Sequence, residues 1–335
     1  MAAPAPPARV VVLVVLDAAR ARSFSCYGYA RETTRRIDGL ARGALLFDNA
    51  FSPAPYTRAA IVHLREPHFP YDPPPPFRNR FGVPTLLPPE AGLDPDWIPS
   101  LNRRGGPSPD EAADLARLYD ANLAFADDVV GRLRDRLAAA GLWAETALIV
   151  TADHGEALGE HGFAGHNEQV YDESTRIPLI VRRPGREALG AAGPKRVDAL
   201  ASLLDLAPTV AGLFGLPPEV ATRVGFRGRS LIAPDFEEGG ERTLMTRSAG
   251  DLPAFALRDH RMTLIVSSKG QAQLFDRQAD PGETQDLAAA QPELLQRRLD
   301  ALAAHRAALG RATETDEPRP SPRTQEALRA LGYLR

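Results

Sequence analysis

The strongest constraint in this chain is a group of acids and histidines that directly follows a short apolar run. Residues 146–151 (Thr-Ala-Leu-Ile-Val-Thr) are apolar and β-branched, a composition typical of a buried strand. Residues 153–156 (Asp-His-Gly-Glu) come next, and His161 and His166 follow shortly after. Because open α/β sheets bind ligands at the carboxyl ends of their strands, this pattern predicts a functional site at the end of a buried strand.

A second apolar run makes the same point independently. Residues 10–16 (Val-Val-Val-Leu-Val-Val-Leu) are followed at once by Asp17, so another acid lies just past a predicted buried strand. Taken alone, each Asp could equally be a helix N-cap or a turn residue. Taken together, Asp17, Asp153 and His154 offer the hard oxygen and neutral nitrogen ligands that suit a divalent metal.

Further short motifs stand along the chain in a definite order. They are residues 16–20 (Leu-Asp-Ala-Ala-Arg), 25–29 (Ser-Cys-Tyr-Gly-Tyr), 33–38 (Thr-Thr-Arg-Arg-Ile-Asp), 67–71 (Pro-His-Phe-Pro-Tyr), 171–173 (Tyr-Asp-Glu), 177–181 (Ile-Pro-Leu-Ile-Val), 274–276 (Leu-Phe-Asp), 279–284 (Ala-Asp-Pro-Gly-Glu-Thr) and 328–333 (Leu-Arg-Ala-Leu-Gly-Tyr). With residues 153–156, this series resembles the sulfatase family of the alkaline-phosphatase superfamily and covers most of the chain.

The resemblance implies an α/β fold in which helices flank a central, mainly parallel sheet. We expect a catalytic domain over residues 1–240 and a smaller C-terminal α+β part over residues 241–335. Four short, closely spaced apolar segments between residues 242 and 275 predict a small antiparallel sheet in the second part. Substrates by resemblance are small-molecule esters, or esters of glycans or lipid headgroups.

The position of the family's nucleophile is occupied by a threonine. Family members carry a Cys or Ser that becomes formylglycine in a Cys/Ser-x-Pro-x-Arg context, whereas Thr57 stands here with Arg58 after it. Formylglycine cannot form from Thr, so none is expected. Threonine nucleophiles occur in phosphate-handling relatives, and the resemblance therefore leans toward phosphate esters without excluding sulfate esters. The simpler alternative for Thr57 is an ordinary hydroxyl at a turn or helix start.

The remaining metal ligands and the acid of the reaction can be carried over residue by residue. By resemblance, Asp17, Asp153, His154 and Thr57 hold a divalent metal, which could be Ca²⁺, Mn²⁺, Zn²⁺ or Mg²⁺. Ala18 stands where many sulfatases have a second Asp, which makes a Ca²⁺ site with its many oxygen ligands less secure.

Four further side chains are expected around the anionic group of the substrate. His68 and His166 match positions that contact the leaving oxygen or the anion, and a histidine is suited to proton transfer near neutral pH. Arg20 and Arg58 could add positive charge. His161 is expected to be structural and to hold its loop by hydrogen bonds.

The chain is also shorter than the family pattern after the nucleophile. His68 follows Thr57 by only eleven positions, whereas the family places several strand and helix units there and one βαβ unit takes ~30 residues. This spacing predicts an internal deletion near residues 60–63. An inactive remnant or partner-binding protein is therefore one alternative to an active sulfatase-like ester hydrolase. A second alternative, among enzymes, is a phosphodiesterase or phosphoglycerate-mutase-like relative.

Composition limits the other classes of function. The 335 residues are 44% hydrophobic and 25% charged, as in a globular chain, and a net charge of −3 argues against nucleic acid binding. No apolar run reaches the ~20 residues of a membrane span. With one cysteine and no recognisable signal peptide, the sequence leads us to expect a cytoplasmic location.

Local patterns predict the remaining elements. Residues 108–111 (Ser-Pro-Asp-Glu) are typical of a capping box that begins a long helix ending near Gly141. We expect an extended surface loop over residues 73–107, a mainly helical segment over residues 198–214, and a final amphipathic helix over residues 293–309.

Overall fold

The structure is a computed structural model that describes residues 7–54, 63–82, 96–185, 193–219, 223, 225–236, 241–249 and 252–313. Its strands are β1 (Val10–Asp17), β2 (Leu45–Phe47), β3 (Ala50–Phe51), β4 (His63–Pro67), β5 (Thr146–Ala152), β6 (Ala157–Leu158), β7 (Ala164–Gly165), β8 (Leu179–Arg182), β9 (Lys195–Val197), β10 (Ala201–Ser202), β11 (Leu244–Arg247), β12 (Phe255–Arg258), β13 (Met262–Val266) and β14 (Ala272–Asp276). Its α-helices are α1 (Arg35–Ala41), α2 (Pro75–Arg78), α3 (Trp97–Arg103), α4 (Pro109–Ala139), α5 (Asp172–Thr175), α6 (Leu206–Leu213) and α7 (Pro292–Thr313).

The central sheet has the strand order β4-β1-β5-β8-β2-β9. Strand β1 is parallel to β4 and β5, and β2 is parallel to β9, whereas β8 is antiparallel to both β5 and β2. Every residue of β5 is buried, as expected for a central strand covered on both faces. The predicted α/β fold with a central, mainly parallel sheet is confirmed.

One large hydrophobic core joins this sheet to the helices. Leu16, Ile149 and Val150 of the sheet are fully buried in the same cluster as Leu115 and Leu123 of α4. Truncating one such leucine to alanine typically costs ~2–5 kcal/mol of the free energy of unfolding. The core therefore holds the ends of β1 and β5 in a fixed position.

Helix α4 begins at the predicted capping box. The backbone N–H of Glu111 donates to Ser108 Oγ over 3.3 Å, and the backbone N–H of Ser108 donates to the Glu111 carboxylate over 2.8 Å. Tyr119 lies further along this helix, on its buried side, and contacts the loop that follows β1. Its hydroxyl donates to the carbonyl of Ala18 over 2.7 Å and accepts from the backbone N–H of Arg20 over 3.1 Å. The long helix thereby positions the loop that follows Asp17.

The C-terminal region contains the predicted antiparallel sheet, in the order β11-β12-β13-β14. One face has its own small core, in which Leu257, Leu264 and Leu274 pack with Leu302 of α7. The final amphipathic helix is confirmed as α7. The domain boundary at residue 240 stays a prediction.

One local prediction is wrong, and a second missed a short strand. Residues 73–107 are not one extended loop, because α2 and α3 lie within them: Pro75 fits the first turn of α2, and α3 buries Trp97 and Leu101 at helical spacing. Residues 198–214 are mainly helical, as predicted, with a 3₁₀ turn over Leu203–Asp205 that leads into α6. The prediction missed β10, which precedes this turn and pairs with β3 in parallel.

Some predicted features lie outside the described residues. These are Thr57, Arg58, the junction residues 60–62 and the motif at residues 328–333. Among the described residues, no helix is both long and apolar enough to cross a membrane.

Candidate active site

Three neighbouring strands of the central sheet end at one place. Asp17 is the last residue of β1, Asp153 and His154 follow β5, and His68 follows β4. In the register of β1 and β5, Leu16 lies opposite Ala152, so Asp17 and Asp153 leave the sheet side by side. A bulge between Leu16 and Asp17 brings Asp17 opposite Pro67 of β4. The sheet order thus assembles residues that are far apart in sequence.

Three of the four predicted metal ligands, here called the metal-ligand set, are brought together by these strand ends, whereas the fourth, Thr57, lies outside the described residues. Asp17, Asp153 and His154 are buried, and one ligand atom from each lies within 4.8 Å of the others. Nε2 of His154 lies 3.5 Å from Asp17 Oδ1 and 3.9 Å from Asp153 Oδ2. Two carboxylates beside one imidazole form a donor set that fits a divalent cation, because a cation offsets the repulsion between the acids.

The hydrogen bonds of His154 decide which of its nitrogens can act as a ligand. Nδ1 lies 2.8 Å from the carbonyl oxygen of Gly155, which can only accept, so Nδ1 must carry the proton. Nε2, which faces the two acids, is then the lone-pair nitrogen. Burial, followed by the proximity of His166, lowers the pKa of His154 and keeps the ring neutral.

The two histidines predicted to act on the substrate lie next to the metal-ligand set. The ring centres of His166 and His154 are 4.3 Å apart, and those of His166 and His68 are 4.9 Å apart. Nδ1 of His68 contacts the carbonyl oxygen of Phe69, which can only accept a hydrogen bond, so Nδ1 carries a proton. This contact does not fix the protonation of Nε2. Three imidazole rings therefore form one cluster at the carboxyl ends of these strands, and His154 joins this cluster to the carboxylates.

A buried acid, Glu156, lies behind His166 and was not among the predicted site residues. Nδ1 of His166 lies 2.9 Å from Glu156 Oε1, and the hydroxyl of Tyr71 donates to Glu156 Oε2 over 3.4 Å. Burial opposes charge on His166, but Glu156 outweighs it and raises the pKa of the imidazole. Glu156 and Tyr71 stand within motifs already noted, so their positions were visible in the sequence, whereas the contacts between them were not.

The guanidinium of Arg20 is engaged away from the metal-ligand set. Nη1 donates to Glu160 Oε1 over 2.6 Å and Nε donates to Ser23 Oγ over 2.7 Å, and the side chain is almost completely buried. A third contact joins Nη1 to the carbonyl of Glu156. These partners favour a role in fixing the loop after β5. Direct contact of Arg20 with substrate stays a prediction.

The loop after β5 passes very close to α5. A Cβ on Gly155 would lie 2.1 Å from the carbonyl oxygen of Glu173, so only glycine fits between His154 and Glu156. The backbone N–H groups of Gly155 and Glu156 donate to the carbonyls of Ser174 and Glu173. This close approach fixes the direction in which His154 and Glu156 leave the backbone.

His161 has the structural contacts expected for it. Nδ1 lies 2.8 Å from Glu173 Oε1, Nε2 lies 2.9 Å from the carbonyl oxygen of Glu283, and the ring stacks on Tyr171 at 3.8 Å. Both nitrogens therefore connect the loop to α5 and to the segment after β14. His161 lies outside the metal-ligand set.

The chain matches known proteins along much of its length. A family model described as Sulfatase matches residues 9–61 and 58–216. An ulvan-active sulfatase from Formosa agariphila is 28% identical over 72% of this chain and 46% of its own length. A choline-sulfatase from Rhizobium meliloti is 33% identical over 51% of this chain and 33% of its own length. The chain therefore spans less than half the length of these relatives.

Solved structures agree in fold. A 2-O GAG sulfatase superposes with a TM-score of 0.68 at 16% identity, covering 95% of this chain and 96% of that one. A phosphonate monoester hydrolase of Agrobacterium radiobacter superposes with a TM-score of 0.67 at 18% identity, covering 90% and 96% respectively. With the family model matched over more than half of its residues, this chain belongs to the sulfatase family.

Proposed function

We propose that this chain is a divalent-metal-dependent hydrolase of sulfate or phosphate esters. The observation that carries the proposal is the meeting of Asp17, Asp153 and His154 at the ends of two neighbouring strands, with His68 and His166 beside them. In a member of the sulfatase family, this arrangement provides both a cation site and proton donors.

Asp17, Asp153 and His154 would hold the metal. When bound there, a divalent cation supplies Lewis-acid stabilisation of negative charge on the ester group. His154 presents Nε2 for this purpose because Nδ1 is committed to the Gly155 carbonyl. Since the set includes an imidazole, Mn²⁺ or Zn²⁺ suits it better than Ca²⁺, which takes 6–8 oxygen ligands.

His166 and His68 would act on the substrate directly. Because Glu156 raises the pKa of His166, this imidazole is protonated more readily than a free histidine, and the protonated ring can bind an anionic ester oxygen. His68 can donate a proton from Nε2 to the leaving oxygen. Thr57 would be the nucleophile, as the motif around it implies, and the substitution of Thr for a formylglycine precursor favours phosphate esters.

Hydrolysis of paired aryl esters tests this proposal. We expect metal-dependent turnover of nitrophenyl phosphate mono- or diesters that exceeds turnover of nitrophenyl sulfate. Thr57→Ala and Asp17→Ala should each remove it, whereas Thr57→Ser should keep part of it. Sulfate turnover that survives Thr57→Ala would contradict both the nucleophile and the preference for phosphate.

An inactive remnant with an internal deletion is the second candidate, and two observations favour it. The family model matches in two segments that meet at residues 58–61, close to the expected deletion at residues 60–63. In the described part of the chain, β4 forms an edge of the central sheet immediately after this junction. Exposed sheet edges and lost burial would weaken packing. Cooperative unfolding together with metal-dependent turnover would rule out the remnant.

A further inference from the structure

A cavity of about 620 Å³ opens beside the two histidines that face the ester group. His68 and His166 lie at one part of its lining, and α3 together with the residues around β7 forms another part. The apolar side chains of this lining are Phe69, Ile98, Pro99 and Phe163. Because His68 is the proposed proton donor to the leaving oxygen, the group attached to that oxygen would extend into this cavity.

The wall made by α3 is held firmly against β7. The side-chain amide of Asn102 donates to the carbonyl of Ala164 over 2.8 Å and accepts from the backbone N–H of Ala164 over 2.9 Å. A Cβ on Gly165 would lie 3.0 Å from Cγ2 of Ile98, so the helix and the strand are in direct contact. The cavity is therefore bounded by a preformed surface.

Most polar side chains of the lining are already engaged within the protein. Both ends of the Asn102 amide bind Ala164, and both oxygens of Glu156 contact His166 or Tyr71. Arg103 forms two contacts with Asp96, at 2.6 and 3.1 Å. The rest of the polar lining consists of His68 and His166, which face the proposed ester group, and of Asn167 and Glu168, which are exposed to solvent.

A sugar would find few hydrogen-bond partners against such a wall. Each hydroxyl placed on Phe69, Ile98 or Phe163 would lose its contact with water without a replacement, which is unfavourable. An alkyl or aryl group has the opposite preference, because it gains by leaving water for an apolar surface.

We propose that this cavity binds the alcohol part of the substrate and that this part is an apolar alkyl or aryl group. The inference rests on the proposed function, since it places the leaving group next to His68. It assigns Ile98, Pro99 and Phe163 as residues that determine specificity.

Binding of alkylphosphonates tests the cavity without requiring turnover. We would measure the dissociation constants of methyl-, butyl- and hexylphosphonate for the full chain by calorimetry in the presence of Mn²⁺. We expect affinity to increase about fourfold for each added methylene. Ile98→Asn should remove most of this dependence on chain length, and Ile98→Val, a matched apolar control, should keep it.

Pro99→Asp provides a second variant at an exposed position of the same wall, where unfolding is not expected. It too should weaken hexylphosphonate binding more than methylphosphonate binding. Affinity that does not change with chain length, absence of binding by any alkylphosphonate, or tighter binding of glucose 6-phosphate than of hexylphosphonate would overturn the inference.

Hydrolysis of the matching alkyl phosphates separates this inference from the proposed function. Binding that depends on chain length without any hydrolysis would contradict the proposed function alone. Hydrolysis of sugar phosphates in preference to hexyl phosphate would contradict the apolar leaving group alone.

Discussion

Two histidines of the same loop, His154 and His161, differ in almost every physical respect. His154 is fully buried beside Asp17 and Asp153, and burial lowers its pKa. His161 is partly buried between the Glu173 carboxylate and the Glu283 carbonyl, and these partners outweigh desolvation and raise its pKa to about 8. The first ring is held neutral, and the second carries a positive charge at neutral pH.

The comparison separates a side chain that is proposed to bind a metal from one that connects parts of the fold. A neutral imidazole with its proton fixed on Nδ1 presents a lone pair, which is what a metal requires. A charged imidazole presents two donors, which suits it to join two chain segments that each offer an acceptor. The same residue type therefore has two roles within one loop, and its neighbours determine which one applies.

The largest expected effect concerns the metal-ligand set. Asp153→Ala should lower the metal-dependent rate by about 10³-fold, since metal activation contributes several kcal/mol to such reactions. It should also remove the stabilisation of the wild type by Mn²⁺, which amounts to ~2.7 kcal/mol at a hundredfold excess over Kd. Activity assays and thermal unfolding with and without Mn²⁺ measure both effects.

His161→Gln is the matched control for the metal prediction. Because His161 lies outside the metal-ligand set, this variant should respond to Mn²⁺ by the same increase in melting temperature as the wild type. If the Mn²⁺ response disappeared in His161→Gln and remained in Asp153→Ala, the metal would bind near His161 and the proposed metal-ligand set would be wrong.

The strands and the clustering of Asp17, Asp153 and His154 could be predicted from the sequence because both depend on local patterns. Each of two segments, residues 10–17 and 146–154, consists of an apolar run with acidic or imidazole side chains directly after it. These side chains meet because the two strands are neighbours in the sheet. The contacts of Glu156 with His166 and Tyr71 depend on segments far apart in sequence, which periodicity does not reveal.

The wrong prediction and the missed strand have the same origin. Strand β10 exists because Ala201 meets Ala50 of β3, and its two residues carry no period of their own. In residues 73–107, abundant proline predicts a loop, but tertiary burial of Trp97 and Leu101 stabilises α3. Local preference is overridden where a distant partner supplies the burial.

The next largest effect is on stability, through His161. His161→Ala leaves the buried carboxylate of Glu173 without its imidazole partner and should lower the free energy of unfolding by about 2–4 kcal/mol. His260 provides the control, since its side chain is 52% exposed in a pair with Asp198, and His260→Ala should cost less than about 1 kcal/mol. Urea denaturation of both variants measures the difference, and equal losses would contradict the bridging role of His161.

The charge on His161 also predicts how stability depends on pH. Its pKa is about 8 in the folded chain and ~6.5 in the unfolded chain, so its stabilisation is fully present below pH 6.5 and is lost as the pH rises through 8. The loss should be about 1–2 kcal/mol after allowance for partial exposure. His161→Gln should lack this component in urea titrations between pH 6 and 9, and an unchanged profile would show that another group titrates.

The smallest expected effect concerns backbone strain. The loop beside the metal-ligand set and the turn that carries His161 each contain a non-glycine residue in the left-handed region. Ala18, at φ 59°, is fully buried and donates its N–H to Asp153, whereas His161 is at φ 53°. Ala18→Gly should relieve ~1 kcal/mol of backbone strain. This gain offsets two losses, the burial of one methyl group and the lower entropy that alanine gives the unfolded chain. The free energy of unfolding should therefore change by less than about 0.5 kcal/mol. Ala124→Gly, at a buried position inside α4 where no strain is relieved, should cost about 1–2 kcal/mol. Because both replacements remove one buried methyl group, the difference between them in urea denaturation measures the strain at Ala18, and equal costs would show that the loop after Asp17 stores none.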